Sequence, residues 1–298
     1  MQKSQKLSRL LGDLQIISVT TQNNRNSQAM KKPLQLLIGV IVFSGLALIC
    51  SAFKNLPTLI QGRKIENTSY GLGEVLRYRI HYGPINAGIV TMSVLPNTHT
   101  INGKTAYNLR VEGETLKSFD WAYKVRDKFE SWVDQESQAP LRYAKTVREN
   151  TYFNQDVAIY DHEKATLRNK QGELEIPRYT QDIASAIYYL RNLDYSSANI
   201  GKRFPIDIYL DNQVYNLNIT FIGKETIKTD IGKVRCIKIK PKLVVDRVFK
   251  NTDGMTVWVS DDENHVPLRI KTEIQVGSLT VDLITYDNVK NPFNALIK

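Results

Sequence analysis

The sequence predicts a mainly β protein: a curved antiparallel sheet or open β-barrel with one buried helix near residues 181–192. Three observations predict it. Between 73 and 292 the chain passes through about a dozen short segments in which apolar and polar residues alternate with the period of two of a pleated strand. Turn residues punctuate these segments every ~8–12 residues, without the alternating helices that a parallel sheet requires. One stretch, Ile183–Leu190, breaks the pattern, because it carries no charge and repeats at helical spacing.

Along the chain, Glu74–Gly83 sets Leu76, Tyr78, Ile80 and Tyr82 on one face and Arg77, Arg79 and His81 on the other, a half-buried strand. Gly83-Pro84 opens a turn that ends at Ala87-Gly88 and leads into Ile89–Leu95. Asn102-Gly103 lies between Thr98–Ile101 and Thr105–Val111; both residues tolerate the positive φ of a two-residue hairpin. Trp121, Tyr123, Val125, Phe129 and Val133 alternate with Lys124, Arg126, Lys128 and Glu130, which predicts one strand over 121–133. Leu141–Arg148, Tyr152–Tyr160, Ala165–Arg168 and Glu173–Ile176 continue the series. Phe204–Leu210 and Val214–Ile222 flank Asp211-Asn212, and Lys224–Lys228 and Lys233–Lys240 flank Asp230-Ile231-Gly232. Thr256–Ser260, Leu268–Val276 and Leu279–Tyr286 complete it. The basic stretch Lys233–Lys250 changes its apolar phase midway, which predicts a bulge or a strand passing between environments. Its lysines suit a solvated sheet edge or contact with anionic lipid head groups.

In Thr180–Leu193, Ile183, Ala186, Ile187 and Leu190 recur at helical spacing, with Thr180 as N-cap. Asp182 in the first turn and Arg191 at the far end suit the helix dipole. A helix apolar nearly all round, about 10–12 Å across, belongs inside the curl. Ser185 is read as a small residue allowing close helix–sheet contact. Arg191 either serves the helix end or pairs with a carboxylate such as Asp127. An apolar helix facing strands rich in Tyr, Ile and Val would accept an apolar or amphipathic molecule, with Ile183, Ile187, Tyr189, Tyr78, Tyr123 and Trp258 as its expected contacts.

The N-terminal region predicts an address. Residues 1–29 form a polar upstream extension, so Met30 is expected to be the working start. Lys31 and Lys32 precede the uncharged stretch 34–53, and Cys50-Ser51-Ala52 puts small side chains at the −3 and −1 positions for a cut after Ala52. Residues 30–52 are therefore a signal peptide or an uncleaved anchor, since about 20 apolar residues can span a bilayer. Lipidation of Cys50 is the third possibility, against which stands Ile49 where a small residue is expected. In every case the preceding lysines leave 54–298 outside the cytoplasm. A linker at 53–72, a single β domain at 73–292 and a tail at 293–298 complete the organisation.

That division also settles the charge. The chain has 298 residues, 40 Lys+Arg and 30 Asp+Glu. Removing the six basic residues and one acid of 1–52 leaves 34 against 29, a net of +5, too little for a nucleic-acid coat. Only Cys236 remains after cleavage, so no internal disulfide is expected.

Several features resemble a family of exported Gram-negative envelope proteins catalogued as a domain of unknown function. They are Gly73-Glu74-x-Leu76-x-Tyr78, Ala87-Gly88, Tyr123-x-Val125-Arg126-Asp127, Asp182-x-x-Ser185-x-x-Tyr188-Tyr189-Leu190-Arg191, Trp258-Val259-Ser260-Asp261-Asp262 and Pro267-Leu268. The resemblance covers about Gly73 to Pro292 and implies an envelope β domain. The layout is also similar to the periplasmic lipoprotein carriers, whose curved sheet closes over a helix; that likeness is architectural.

Motifs for chemistry are scarce. His81, His99, His162 and His265 are scattered, with no metal-ligand spacing, and His81 is expected to be solvated. Neither Ser185 nor Cys236 has a base beside it in sequence, and no glycine-rich phosphate loop appears, so no catalytic residue and no cofactor is expected. Glycan hydrolysis would need two acids among Asp127, Asp134, Glu149 and Asp161 to converge in a cleft. The sequence thus points to a non-catalytic envelope domain. It either binds a lipid-like molecule between sheet and helix or has a fully packed interior and a structural role. No nucleic-acid partner is expected, and the N-terminal segment would keep the domain near a membrane if uncleaved.

Overall fold

The computed structural model describes residues 62–243, 254–274 and 277–297. The upstream extension, the signal or anchor, the linker as far as residue 61 and the basic segment 244–253 lie outside them.

The chain folds as β1 (Val75–Tyr82), β2 (Ile85–Val94), β3 (His99–Ile101), β4 (Lys104–Thr115), β5 (Arg126–Asp134), β6 (Pro140–Glu149), β7 (Tyr152–Asp161), β8 (Thr166–Asn169) and β9 (Gly172–Glu175). Then come the helix α1 (Ile183–Arg191), β10 (Arg203–Leu210), β11 (Gln213–Thr229), β12 (Gly232–Leu243), β13 (Met255–Ser260), β14 (Pro267–Glu273), β15 (Ser278–Asp287) and β16 (Leu296–Ile297). All belong to one sheet, ordered β10-β11-β12-β13-β14-β15-β1-β2-β4-β5-β6-β7-β8-β9, with β3 beside β4 and β16 beside β12. The main chain makes two meanders, joined where β1 pairs with β15, Val75 opposite Asp287. Residues 176–202, which contain α1, connect the two outer edges β9 and β10, so the sheet must curl.

No backbone ladder joins β9 to β10, and the sheet is an open barrel. The seam is spanned by other groups: Asn169 Nδ2 donates to Tyr209 Oη at 2.6 Å and to Asn212 Oδ1 at 2.9 Å, and Lys145 pairs with Asp211. Gln181 adds a short parallel bridge to β10, its N–H reaching Asp207 O at 2.8 Å and its carbonyl accepting from Tyr209 N at 2.8 Å.

The period-two pattern holds in detail. In β1 the side chains of Leu76, Tyr78 and Ile80 are buried and Arg77 is exposed. Asn102 and Gly103 take φ of 49° and 76°, as the β3–β4 hairpin requires. Asp211 and Asn212 do the same at 48° and 65°. The helix is wrapped as expected: Ile183, Ala184, Ser185, Ala186, Ile187, Tyr188 and Arg191 are buried. Ala184, Ile187 and Tyr188 join the main core with β1, β2, β4, β5 and β12–β15. Ala186 joins a second core with Ile206, Ile208, Leu217 and Ile239.

Four expectations change. The strand over 121–133 begins only at Arg126, and 116–124 is a folded loop in which Phe119 O accepts from Ala122 N and Tyr123 N at 2.9 and 3.0 Å. Asp120 closes it, accepting from Thr115 Oγ1 at 2.7 Å and from Arg126 Nη2 at 2.7 Å. Segments 214–222 and 224–228 are one strand, β11, with a register shift at Gly223, whose φ of 140° few other residues adopt. β12 is flanked by β11 and, over Cys236–Ile239, by β13, so Lys238 lies between two strands and does not guard an edge. Its phase change is present: Val234 and Cys236 enter the main core, whereas Ile237 and Ile239 enter the second. The irregularity that permits it lies across the ladder, at Gly223. Finally, the packed chain extends past 73–292 at both ends. Tyr70 is buried within the expected linker, and within the expected tail Ala295 is buried and Leu296 pairs with Val234.

Candidate functional site in the helix-filled concavity

α1 is fixed at both ends by buried polar groups. At its start Asp182, not Thr180, is the N-cap: its carboxylate accepts from Ser185 N at 2.9 Å while Ser185 Oγ accepts from Asp182 N at 2.8 Å. This reciprocal box is Ser185's role, beyond being small. The other Asp182 oxygen accepts from Ser131 Oγ of β5 at 2.6 Å, tying the helix to the sheet. Burial raises the Asp182 carboxyl to about 6, against the pull of the Ser131 and Ser185 hydrogen bonds. Thr180 instead donates its hydroxyl to Pro177 O at 2.6 Å.

At the other end Arg191 pairs with Glu74, not with Asp127. Nη1 and Nη2 reach the two Glu74 oxygens at 2.5 and 2.8 Å, and both side chains are fully buried. Nε donates to Asn264 O at 3.0 Å and Nη2 to Ser69 O at 2.8 Å. The guanidinium lies 5.6 Å from the Tyr70 ring and 5.3 Å from the Tyr188 ring. One side chain thereby joins the start of β1, the end of α1 and the β13–β14 turn. Charge-assisted bidentate geometry of this kind offsets the desolvation of both ions.

Among the described residues, a void of about 50 Å³ lies between α1 and the strands, lined by Ala186, Ile187 and Leu190 against Ile208, Ile239, Met255 and Ile270, with Arg191 at its wall. Ile187 is the one expected ligand contact that lines it. Ile183 is buried close to the helix N-cap. Tyr78 is buried in the main core on β1. Tyr189 lies under Arg63, 5.1 Å from the guanidinium. Trp258 donates its indole N–H to Glu225 and carries Lys238 Nζ 5.3 Å over its ring. Tyr123 lies in the 116–124 loop and donates to Glu149 Oε2 at 2.9 Å. Tyr78, Ile187 and Trp258 thus share the main core, while Ile183, Tyr189 and Tyr123 lie outside it, because alternation places aromatic side chains on a face without saying which level of the curl they occupy.

Asp127 joins a different group. It accepts from Arg148 N at 2.9 Å, and burial with Glu149 nearby raises its carboxyl to about 7. Glu149, opposite Val125 in the ladder, is also raised by burial. A carboxyl that holds its proton near neutrality suits general acid chemistry. Yet neither acid lines the apolar void or the two polar grooves on the surface.

Those grooves, of about 520 and 460 Å³, share Lys104, His162 and Glu163. Asp134 lines the first, where it accepts from Ser137 Oγ at 2.6 Å. Asp161 lines the second and pairs with Lys164 at 2.9 Å. His162 is held in place through both ring nitrogens: Nε2 meets Pro140 O at 2.7 Å, Nδ1 accepts from Tyr179 N at 3.1 Å, and burial lowers it to about 4. His81 is paired with Asp282 at 3.0 Å, which corrects its solvated reading. Cys236 is buried and desolvation pushes its thiol up to about 11. No three His, Cys, Asp or Glu side chains converge as metal ligands among the described residues. No helix among them is long and apolar enough to cross a membrane. The residues missed by sequence reasoning are Glu74, Ser131 and Asn264. Glu74 stands in the Gly73-Glu74 motif, which was the available signal.

No curated protein matches the chain. Among solved structures, a β-barrel-like protein of the DUF1849 domain from Brucella abortus superposes with a TM-score of 0.50 at 9% identity, covering 78% of this chain and 100% of that one. A chain provisionally described as a lipoprotein from Parabacteroides distasonis gives 0.35 at 12%, covering 76% and 100%. One provisionally described as exported, with a YmcC-like fold, from Bacteroides fragilis gives 0.35 at 10%, with the same coverage. The first of these likenesses bears on the fold alone. The family model for the protein of unknown function DUF3108 matches residues 77–284.

Proposed function

The chain belongs to the DUF3108 family of proteins of unknown function, and on that premise we propose a non-catalytic module of the cell envelope, exported to the periplasm, that acts by holding partners on its surface. The observation that carries this reading is the filled concavity. A small-molecule site normally encloses roughly 300–1,000 Å³, whereas the space beside α1 is about 50 Å³. The helix occupies the place a ligand would take, and buried polar groups fix it at both ends. A glycan hydrolase finds little support, because the acids whose carboxyls are raised, Asp127 and Glu149, line none of the cavities described. Export rests on the lysine-flanked apolar stretch at 31–53.

A lipid-like ligand is the second reading, favoured by the aliphatic lining of the void beside Ile187. It requires α1 to draw back from β10–β14. Native mass spectrometry of the protein isolated from the envelope fraction under mild conditions separates the two. The bare polypeptide mass is expected; a stoichiometric non-covalent lipid adduct would transfer the case to the ligand reading. Denaturing spectra identify covalent lipid at Cys50, and protease accessibility in spheroplasts tests export.

A further inference from the structure

We infer that the rim formed by the 116–124 loop and the β6–β7 turn is a docking surface for a lipid bilayer bearing anionic head groups. The inference does not depend on how the interior is filled. Three large aromatics are exposed there: Trp121 at 72%, Phe153 at 53% and Tyr152 at 37%. They belong to two segments that the backbone binds together. Val125 bridges to Glu149, Asn150 N donates to Lys124 O at 2.8 Å, and Lys124 N donates to Asn150 Oδ1 at 2.8 Å. The Trp121 indole N–H is already satisfied by Ser118 O at 2.9 Å, so the exposed ring presents mainly apolar surface.

Cations accompany the aromatics. Lys117, Lys124 and Arg148 are exposed, and the Arg148 guanidinium lies 5.2 Å over the Phe153 ring. The acids nearby are engaged or buried. Asp120 and Glu114 both pair with Arg126, at 2.7 and 3.6 Å, while Asp127 and Glu149 lie beneath the rim, buried. The outward charge is therefore positive, on a surface of Trp, Tyr and Phe.

That combination matches the membrane–water boundary. Amphipathic rings settle at head-group level, and Lys and Arg reach the phosphates while their stems lie along apolar surface. A protein partner is the other occupant that exposed aromatics can take, but lysine is depleted in such interfaces, and here two lysines share the loop with Trp121. Each is worth about 1 kcal/mol beside an anionic surface, so losing both lowers the docked-to-undocked ratio roughly 30-fold.

The test uses the full chain reconstituted in vesicles whose acyl chains carry bromine, a contact quencher of indole. The Trp121 signal is the difference between wild type and Trp121→Phe, which retains Trp132 and Trp258. Quenching of that signal is expected in phosphatidylcholine–phosphatidylglycerol vesicles and not in phosphatidylcholine alone. It should be lost in Lys117→Gln/Lys124→Gln, with the β-sheet circular dichroism intact. Equal quenching in both vesicle types or in the lysine variant overturns the inference. So does an unquenched Trp121 in the anionic vesicles, which would leave the rim to a protein partner.

Discussion

Removing Arg191 alone should cost more than removing it together with Glu74. Arg191→Met deletes four hydrogen bonds: two to the Glu74 carboxylate and one each to the Ser69 and Asn264 carbonyls. It leaves the Glu74 carboxylate in a fully buried site without its counter-ion. Breaking a buried pair in this way costs about 3–5 kcal/mol; a loss of about 4 kcal/mol reduces the folding equilibrium constant about a thousandfold. For a domain of typical stability, about 5–15 kcal/mol, that is a large share of the total. Glu74→Leu/Arg191→Met removes both ions and keeps apolar volume, so it should lie within about 1–2 kcal/mol of the wild type. Urea denaturation of the wild type, both single variants and the double variant measures the coupling. If the two single losses simply add in the double variant, the reasoning that the pair is a mutually dependent buried unit is refuted.

Asp127→Asn should change the pH dependence of stability. The native carboxyl is raised to about 7, so between about 4 and 7 the folded state holds a proton that the unfolded state has lost. Wild-type stability contributed by this group therefore falls as pH rises through that window. The Asn variant should match the wild type near pH 4 and exceed it near pH 8, as read from urea midpoints; no difference between the two pH values counts against it. His162→Asn tests the opposite sign, because the native ring is lowered to about 4 and binds its proton later than the unfolded chain on acidification. The wild type should lose stability from this group as pH falls from about 6.5 to 4, and the Asn variant should lose less, in the same assay. Ile187→Ala should enlarge the existing void and cost about 2–5 kcal/mol in thermal or urea unfolding, since Ile187 lines it and is nearly buried. Gly88→Ala should cost about 1–3 kcal/mol or prevent folding, because the added methyl would lie 2.6 Å from Glu114 O, a backbone atom. An unchanged melting temperature would show that β2 and β4 can separate there freely.

The sheet was largely legible because burial on one face of a strand writes itself as alternation. Leu76, Tyr78 and Ile80 all face inward. The helix was legible for the opposite reason, being uncharged on every side from Ile183 to Leu190. Loop 116–124 was not, since Trp121 and Tyr123 continue the parity of β5, and it is hydrogen bonds to Asp120 and to Phe119 O that fold the chain away. The partner of Arg191 could not be chosen from sequence. Glu74 adjoins β1 and Asp127 lies within β5, and the difference is which strand passes the end of α1. Asp182 was recognised as favouring the helix start, but whether it or Thr180 caps depends on where the Gln181 bridge to β10 ends.

The pairing of β1 with β15 has a consequence for how the chain comes to be folded. β1, the first strand among the described residues, finds one neighbour at once, in β2, and the other only when Asp287 has been synthesised. Until then an edge bearing Leu76, Tyr78 and Ile80 is bare, a template for wrong partners. Contacts so distant along the polypeptide make for slow maturation, and the incomplete chain is the form most exposed to aggregation. Deleting β15 and β16 should therefore leave both β1 and β14 with a bare edge and harm solubility accordingly.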